Sequence, residues 1–151
     1  MLIDRTIRAH IEDRMFKGRI IIVYGARQVG KTTLIRALES SYKERNPLYL
    51  NCDEPDIREL LANKTSSELK DLIGNHELIF IDGAQRVPDI GLTLKLMADN
   101  FSHIQVIATG SSSFELSSSV VEPLTGRKHE FYLFPLSAQE LSSIYSPLEI
   151  K

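Results

Sequence analysis

The chain has 151 residues, of which 42% are hydrophobic and 25% are charged, and its formal net charge is −2. This composition is typical of one globular domain with a sizeable core. The charge balance does not support a nucleic-acid partner, and no apolar run approaches the ~20 residues of a membrane span. The N-terminus lacks the apolar core of a signal peptide, and the single Cys52 cannot form an internal disulfide, so we expect a cytoplasmic protein without a membrane partner.

The first elements are a helix, a strand and a second helix. Residues 1–18 predict a leading amphipathic helix, because Ile7 and Ile11 share one helical face between charged residues, and its expected role is to cover an edge of the core. The apolar run 19–24 predicts a buried strand, and residues 33–38 predict a helix that ends near Ser40.

The segment between this strand and this helix, Gly25-Ala26-Arg27-Gln28-Val29-Gly30-Lys31-Thr32, fits the G-x-x-x-x-G-K-[ST] pattern of a phosphate-binding P-loop. Backbone N–H groups of such a loop and the positive end of the following helix hold phosphates. Lys31 is predicted to bridge the β- and γ-phosphates of ATP, and the Thr32 hydroxyl to ligate Mg²⁺. The predicted nucleotide-binding residues are Gly25, Ala26, Arg27, Gln28, Val29, Gly30, Lys31, Thr32 and Thr33.

Two further strands follow, separated by short helices. Residues 48–52 predict the second strand, where Cys52 is more typical of a small core residue than of a nucleophile. Residues 65–68 form a capping box that opens a helix. The third strand, 78–82, ends in Asp82, which is predicted to reach Mg²⁺ through water as a Walker B residue. The alternative is that Asp82 is only a turn residue.

A helix opened by Pro88 and ending at Asn100 leads into the fourth predicted strand, residues 104–109. Ligands of parallel sheets bind at the carboxyl ends of strands, so Thr109 or Ser111 is predicted to touch the γ-phosphate or the attacking water. The alternative is a glycine turn whose serines cap the next helix, residues 114–118.

The last strand is predicted at residues 129–134, followed by a helix opened by the capping box 137–140. Five strands alternating with helices predict an α/β fold with a five-stranded parallel sheet between two helical layers. The fourth strand, with its polar end, fits the P-loop proteins in which a sensor strand lies beside the P-loop strand.

Taken together, these segments resemble prokaryotic AAA-type ATPases whose ATPase core precedes a separate C-terminal domain of the DUF4143 type. The resemblance implies an ASCE-type P-loop fold, ATP with Mg²⁺ as cofactors, and Ser111 or Thr109 as the sensor. It also implies that Arg127 senses phosphate or acts as an arginine finger, in its own subunit or in a neighbour within a homo-oligomer. The alternative is an exposed Arg127 paired with Glu122 or Glu130. The segments that carry the resemblance are 24–34, 49–51 with 53 and 55, 81–82 and 84–88, 109–113, 124–127, and 133 with 135–137 and 140–141.

Two departures from that family pattern affect the expected activity. Gly83 stands where the family has a Glu that polarises the attacking water, and loss of such a base costs ~10²–10⁴ in rate. Asp53, at the end of the expected neighbouring strand, is a candidate for a partial replacement. The chain ends at Lys151, so we expect residues 1–151 to be the ATP-binding core without its lid and C-terminal domain. Three functions stay open: a slow ATPase, a non-hydrolysing nucleotide switch or remnant, and a small-molecule kinase, for which no lid segment is evident.

Overall fold

A computed structural model of the chain describes residues 2–25, 30–111 and 123–133, with side chains from residue 6 onward. The predicted helices at 114–118 and after residue 137 lie outside the described residues. Single 3₁₀ turns occur at Lys43–Arg45 and Ala84–Arg86. The helices are α1 (Leu2–Arg14), α2 (Lys31–Ser41), α3 (Pro55–Leu61), α4 (Ser66–Ile73) and α5 (Ile90–Asn100). The strands are β1 (Ile20–Gly25), β2 (Pro47–Asn51), β3 (Leu78–Asp82), β4 (Gln105–Gly110) and β5 (Lys128–Leu133).

The five strands form one parallel sheet in the order β2-β3-β4-β1-β5, which confirms the predicted α/β fold. The strand that ends in Thr109 and Gly110 therefore lies between the strand that ends in Asp82 and the strand that enters the P-loop, as predicted. Strands β1, β3 and β4 are apolar almost throughout because helices cover the sheet on both faces.

Alternate residues of each strand point to opposite faces and build two separate cores. On one face α3, α4 and α5 pack on Ile22, Ile79 and Val106. On the other face α1 and α2 pack on Val23, Phe80 and related residues. The candidate site lies on the face covered by α2. Asp82 and Thr109, near the ends of β3 and β4, lie two positions after Phe80 and Ile107 and therefore point to the same face as these core residues.

The leading helix belongs to the core, since Ile11 is fully buried beneath it. Its connection to β1 is held by the buried side chain of Gln105. The Gln105 Oε1 accepts a hydrogen bond from the Phe16 N–H at 2.6 Å, and the Nε2 donates to the Arg19 carbonyl at 3.0 Å. This side chain therefore provides hydrogen-bond partners for backbone groups of a turn that lies outside the helices and strands.

The capping box at the start of α4 is confirmed: the Thr65 side chain accepts from the Glu68 N–H, and the Glu68 side chain accepts from the Thr65 N–H. Among the described residues, none of the helices has the length and apolar character needed to cross a bilayer.

Candidate nucleotide-binding site

The P-loop, defined here as residues 25–32, joins the end of β1 to the start of α2. Residues 26–29, with the predicted ligands Ala26, Arg27, Gln28 and Val29, lie outside the described residues. Gly30 precedes α2 with φ of 90°, a left-handed conformation that strains any residue with a Cβ. Lys31, Thr32 and Thr33 form the first turn of α2, so the helix N-terminus faces the carboxyl edge of the sheet.

Lys31 forms hydrogen bonds to the carboxyl ends of two neighbouring strands, β1 and β4. Its Nζ donates to the Gly25 carbonyl of β1 at 2.7 Å and to the Gly110 carbonyl of β4 at 3.1 Å. Burial lowers the pKa of Lys31, and the nearby carboxylate of Asp82 opposes that shift. An ammonium group has three N–H donors, so the two carbonyls leave one for a phosphate oxygen.

Asp82 accepts hydrogen bonds from three hydroxyl groups that come from three different elements. Thr109 of β4 donates to Oδ1 at 2.6 Å, Tyr49 of β2 donates to Oδ2 at 2.7 Å, and Thr32 of α2 donates to Oδ2 at 3.3 Å. The carboxylate thus has a fixed orientation, with Oδ2 facing the first turn of α2.

Thr109, predicted to contact the γ-phosphate or the attacking water, is bound by groups of the protein itself. Its side chain is only 1% exposed, and its hydroxyl both donates to Asp82 and accepts the Gly83 N–H at 3.1 Å. These contacts make Thr109 a partner of the Asp82 carboxylate, and its contact with the γ-phosphate stays a prediction. Ser111, one residue beyond β4, stays a prediction as the sensor.

Tyr49 is the site residue that the sequence analysis missed. Besides its bond to Asp82, its ring lies under the Arg36 guanidinium of α2, 4.1 Å from the ring centroid. Burial, together with the bond to Asp82, raises the pKa of Tyr49, so the phenol stays a donor near neutral pH. Only the strand register reveals this contact: Asn51 is the register partner of Asp82, Tyr49 lies two residues before Asn51, and alternate strand residues share a face.

Gly83 adopts a left-handed conformation, with φ of 80° and ψ of 38°. A Cβ built there would lie 3.8 Å from the Cys52 Cβ, an ordinary contact, so space alone does not demand glycine. The backbone angle does favour it, because L residues other than Asn and Asp rarely adopt that region.

Asp53 does not fit the suggested replacement for the missing Glu. Its carboxylate pairs with Arg86 at 2.8 Å, and its side chain is 65% exposed. Cys52, by contrast, is fully buried, and burial, with the Asp82 carboxylate nearby, raises the pKa of its thiol to about 12. This fits the interpretation of Cys52 as a core residue rather than a nucleophile.

Arg127 lies at the opposite edge of the sheet from the P-loop. The Arg127 carbonyl accepts a hydrogen bond from the N–H of Ile20, the first residue of β1. The P-loop starts at Gly25, the last residue of β1. At ~3.3 Å per residue, the two ends of this strand are about 16 Å apart. The alternative pairing with Glu130 is wrong: Arg127 pairs instead with Asp99, near the end of α5, at 2.8 Å. Glu122 lies outside the described residues.

This position excludes contact between Arg127 and a phosphate in its own subunit, so only the role in a neighbouring subunit stays a prediction. Glu130 instead accepts from Lys128 and from the Tyr24 hydroxyl, both at 2.6 Å. Burial alone would raise the pKa of Glu130, but these two hydrogen bonds outweigh it and lower that pKa.

The donor set fits Mg²⁺. The Thr32 hydroxyl and the Asp82 carboxylate are hard oxygen donors 3.3 Å apart at the helix N-terminus. Mg²⁺ in nucleotide sites is held by one or two protein oxygens together with phosphates and water, rather than by an all-protein cage. Within the part of the chain that the structure describes, no group of three or more His, Cys, Asp or Glu residues offers such a cage.

Comparison with known families agrees with this fold. A family model described as an AAA domain matches residues 17–142, which is most of the chain and includes the P-loop, Asp82 and Ser111. The chain belongs to this family of AAA domains.

Relatives of this AAA domain include uncharacterised proteins of Mycobacterium tuberculosis and Methanocaldococcus jannaschii. The first is 29% identical over 145 residues, which cover 95% of this chain and 31% of the relative. The second is 28% identical over 142 residues, which cover 90% of this chain and 31% of the relative. The AAA domain thus spans about a third of the length of these relatives.

Solved structures with the same fold include Drosophila ORC bound to DNA, with a TM-score of 0.63 and 14% identity over 87% of this chain and 89% of that one. Pif1 helicase from Candida albicans gives a TM-score of 0.55 at 15% identity, covering 91% of this chain and 40% of that one. PCH-2 from Caenorhabditis elegans gives a TM-score of 0.50 at 16% identity, covering 93% of this chain and 41% of that one. At these identities the likeness shows the fold alone.

Proposed function

We propose that this AAA domain binds ATP with Mg²⁺ at the carboxyl edge of its sheet and hydrolyses it slowly. Family membership supports a nucleotide-binding function of the ATPase type. One observation carries the finer proposal: Lys31, Thr32 and Asp82 meet at the N-terminus of α2, where the ends of β1, β3 and β4 converge. A phosphate chain there would meet a positive helix end, an ammonium group and two oxygen ligands for a metal.

Each residue has a separate role in this proposal. Lys31 neutralises phosphate charge with its remaining N–H donor, and Thr32 and Asp82 hold Mg²⁺, which when bound neutralises further phosphate charge. Thr109 holds Asp82 in place, and Ser111 contacts the γ-phosphate.

Hydrolysis is slow in this proposal because none of the residues that the structure describes is placed as a dedicated base for the water. Position 83 carries no side chain, both oxygens of Asp82 already accept hydrogen bonds from hydroxyl groups, and Asp53 is paired with Arg86. Loss of a general base lowers a rate by ~10²–10⁴, which slows turnover without preventing binding.

A direct test compares ATP affinity, by calorimetry with and without Mg²⁺, for the wild type, Lys31→Ala and Lys70→Ala. Lys70 is an exposed lysine on α4 and serves as the control. We expect affinity at least about tenfold weaker in Lys31→Ala, because a charge-assisted hydrogen bond is lost, and unchanged affinity in Lys70→Ala. Equal affinity of the wild type and Lys31→Ala would contradict the proposal.

The second candidate function, a nucleotide switch that does not hydrolyse, is favoured by the absent side chain at Gly83. Phosphate release measured over hours on the same preparations separates the two candidates. Wild-type turnover above that of Lys31→Ala supports the slow ATPase. Binding without any such excess supports the switch.

A further inference from the structure

The bond between Tyr49 and Asp82 connects an edge strand to the metal-binding carboxylate. Asp82 Oδ2 is shared by the Tyr49 hydroxyl at 2.7 Å and the Thr32 hydroxyl at 3.3 Å, while Oδ1 is held by Thr109. Two anchors, one on each oxygen, prevent the carboxylate from rotating about its terminal bond. Without the Tyr49 anchor, Oδ2 would be held only by the longer bond to Thr32.

The Tyr49 side chain is itself held in place from α2. The Arg36 guanidinium lies over the ring at 4.1 Å, and the Glu39 carboxylate holds that guanidinium at 2.9 Å. Arg36 follows Thr32 by four residues, so one face of α2 supplies both the metal-binding hydroxyl and the cation on the ring. The hydroxyl of Tyr49 therefore has a defined position relative to Thr32.

From this geometry we infer that Tyr49 is a positioning residue for Mg²⁺ binding: its hydroxyl directs Asp82 Oδ2 toward the Thr32 hydroxyl. The inference rests on the proposed function, because it assigns a role within the same ATP site. It predicts that loss of the hydroxyl affects the Mg²⁺-dependent part of ATP binding and spares the metal-independent part.

The variant Tyr49→Phe removes the hydroxyl and keeps the ring under Arg36. Tyr42→Phe is a matched control, since the Tyr42 hydroxyl also donates to a carboxylate, that of Glu12 at 3.0 Å, on the same face of the sheet. The experiment titrates Mg²⁺ against each protein at fixed ATP and, separately, measures ATP affinity in excess chelator.

For Tyr49→Phe we expect the Mg²⁺ concentration at half-saturation to rise about tenfold, the effect of one hydrogen bond to a charged group. Metal-free ATP affinity should stay within about twofold, and Tyr42→Phe should match the wild type in both measurements. A second variant, Arg36→Gln, keeps the hydroxyl and loosens the ring, so we expect a smaller rise of about two- to threefold.

The outcomes separate this inference from the proposed function. Wild-type protein without Mg²⁺-dependent ATP binding would overturn both. Normal Mg²⁺ dependence in the wild type together with an unchanged Tyr49→Phe would overturn the positioning role alone. An equal shift in Tyr49→Phe and Tyr42→Phe would also overturn it, since that would reflect a general loss of packing on this face.

Discussion

The two edges of the sheet carry similar residue types but use them differently. At the carboxyl edge, Lys31, Asp82 and Thr109 come from three elements and bond to one another or to buried strand ends. At the amino edge, Arg127–Asp99 and Arg45–Glu77 form ion pairs whose side chains are more than a third exposed. Exposed pairs of this kind contribute ~0–1 kcal/mol each, so they hold loops together without defining a site.

The comparison shows that convergence of polar groups from several elements, rather than charge itself, distinguishes the carboxyl edge. In a parallel sheet all loops that follow strands meet at one edge, and helix N-termini meet there too. Polar groups at that edge can converge on one ligand, whereas Arg127 and Arg45 at the amino edge each pair with a single carboxylate. Substitutions at the two edges should therefore separate activity from stability.

The largest expected effect is at the carboxyl edge, in Gly83→Glu. A carboxylate next to Asp82 would supply a base, so we expect phosphate release to rise about 100-fold, the lower end of the effect of a general base. Because the backbone at position 83 is left-handed, replacing the glycine should also lower the free energy of unfolding by about 1–2 kcal/mol. Phosphate release and urea denaturation measure the two effects.

Gly83→Ala is the control for this variant, since it introduces the same backbone strain without a carboxylate. Turnover of Gly83→Glu no higher than that of Gly83→Ala would show that position 83 does not limit hydrolysis.

A smaller effect, and one on stability alone, is expected at the amino edge in Gln105→Leu. The variant leaves the Phe16 N–H and the Arg19 carbonyl without their side-chain partner, so the free energy of unfolding should fall by about 1–3 kcal/mol. ATP affinity should not change.

Asn100→Ala is the control, because it removes an exposed hydrogen bond to the Leu96 carbonyl. It should lower the free energy of unfolding by less than about 1 kcal/mol. A loss of ATP affinity in folded Gln105→Leu would contradict the expectation that substitutions at the amino edge affect stability alone.

The smallest effect on stability is expected in Arg127→Ala, below about 1 kcal/mol, because the Asp99 pair is exposed. If Arg127 acts on a neighbouring subunit, turnover of this variant should fall below wild type only at protein concentrations where the domain self-associates. Turnover measured across a concentration series, beside light scattering, tests this. Identical turnover and self-association at every concentration would leave Arg127 with the structural role alone.

Much of the fold could be predicted because its signals are local. Short segments rich in apolar residues, alternating with helical patterns, predicted the five strands, and the glycines and lysine of the P-loop predicted the turn between β1 and α2. Asp82 is a candidate metal ligand from the sequence because an acid directly follows four apolar strand residues. The Thr65 capping box was recognisable because both of its partners lie within four residues.

What the sequence by itself determined, then, is which elements form and which strand ends carry polar groups. Only the tertiary structure decided the partners: Tyr49 and Thr109 for Asp82, Arg86 for Asp53, and Asp99 for Arg127. These contacts join residues 27 to 33 positions apart, and they depend on strand order, register and helix packing, which local spacing does not encode. The P-loop pattern therefore predicts a phosphate site, whereas the hydroxyl network around Asp82 exists only in the folded sheet.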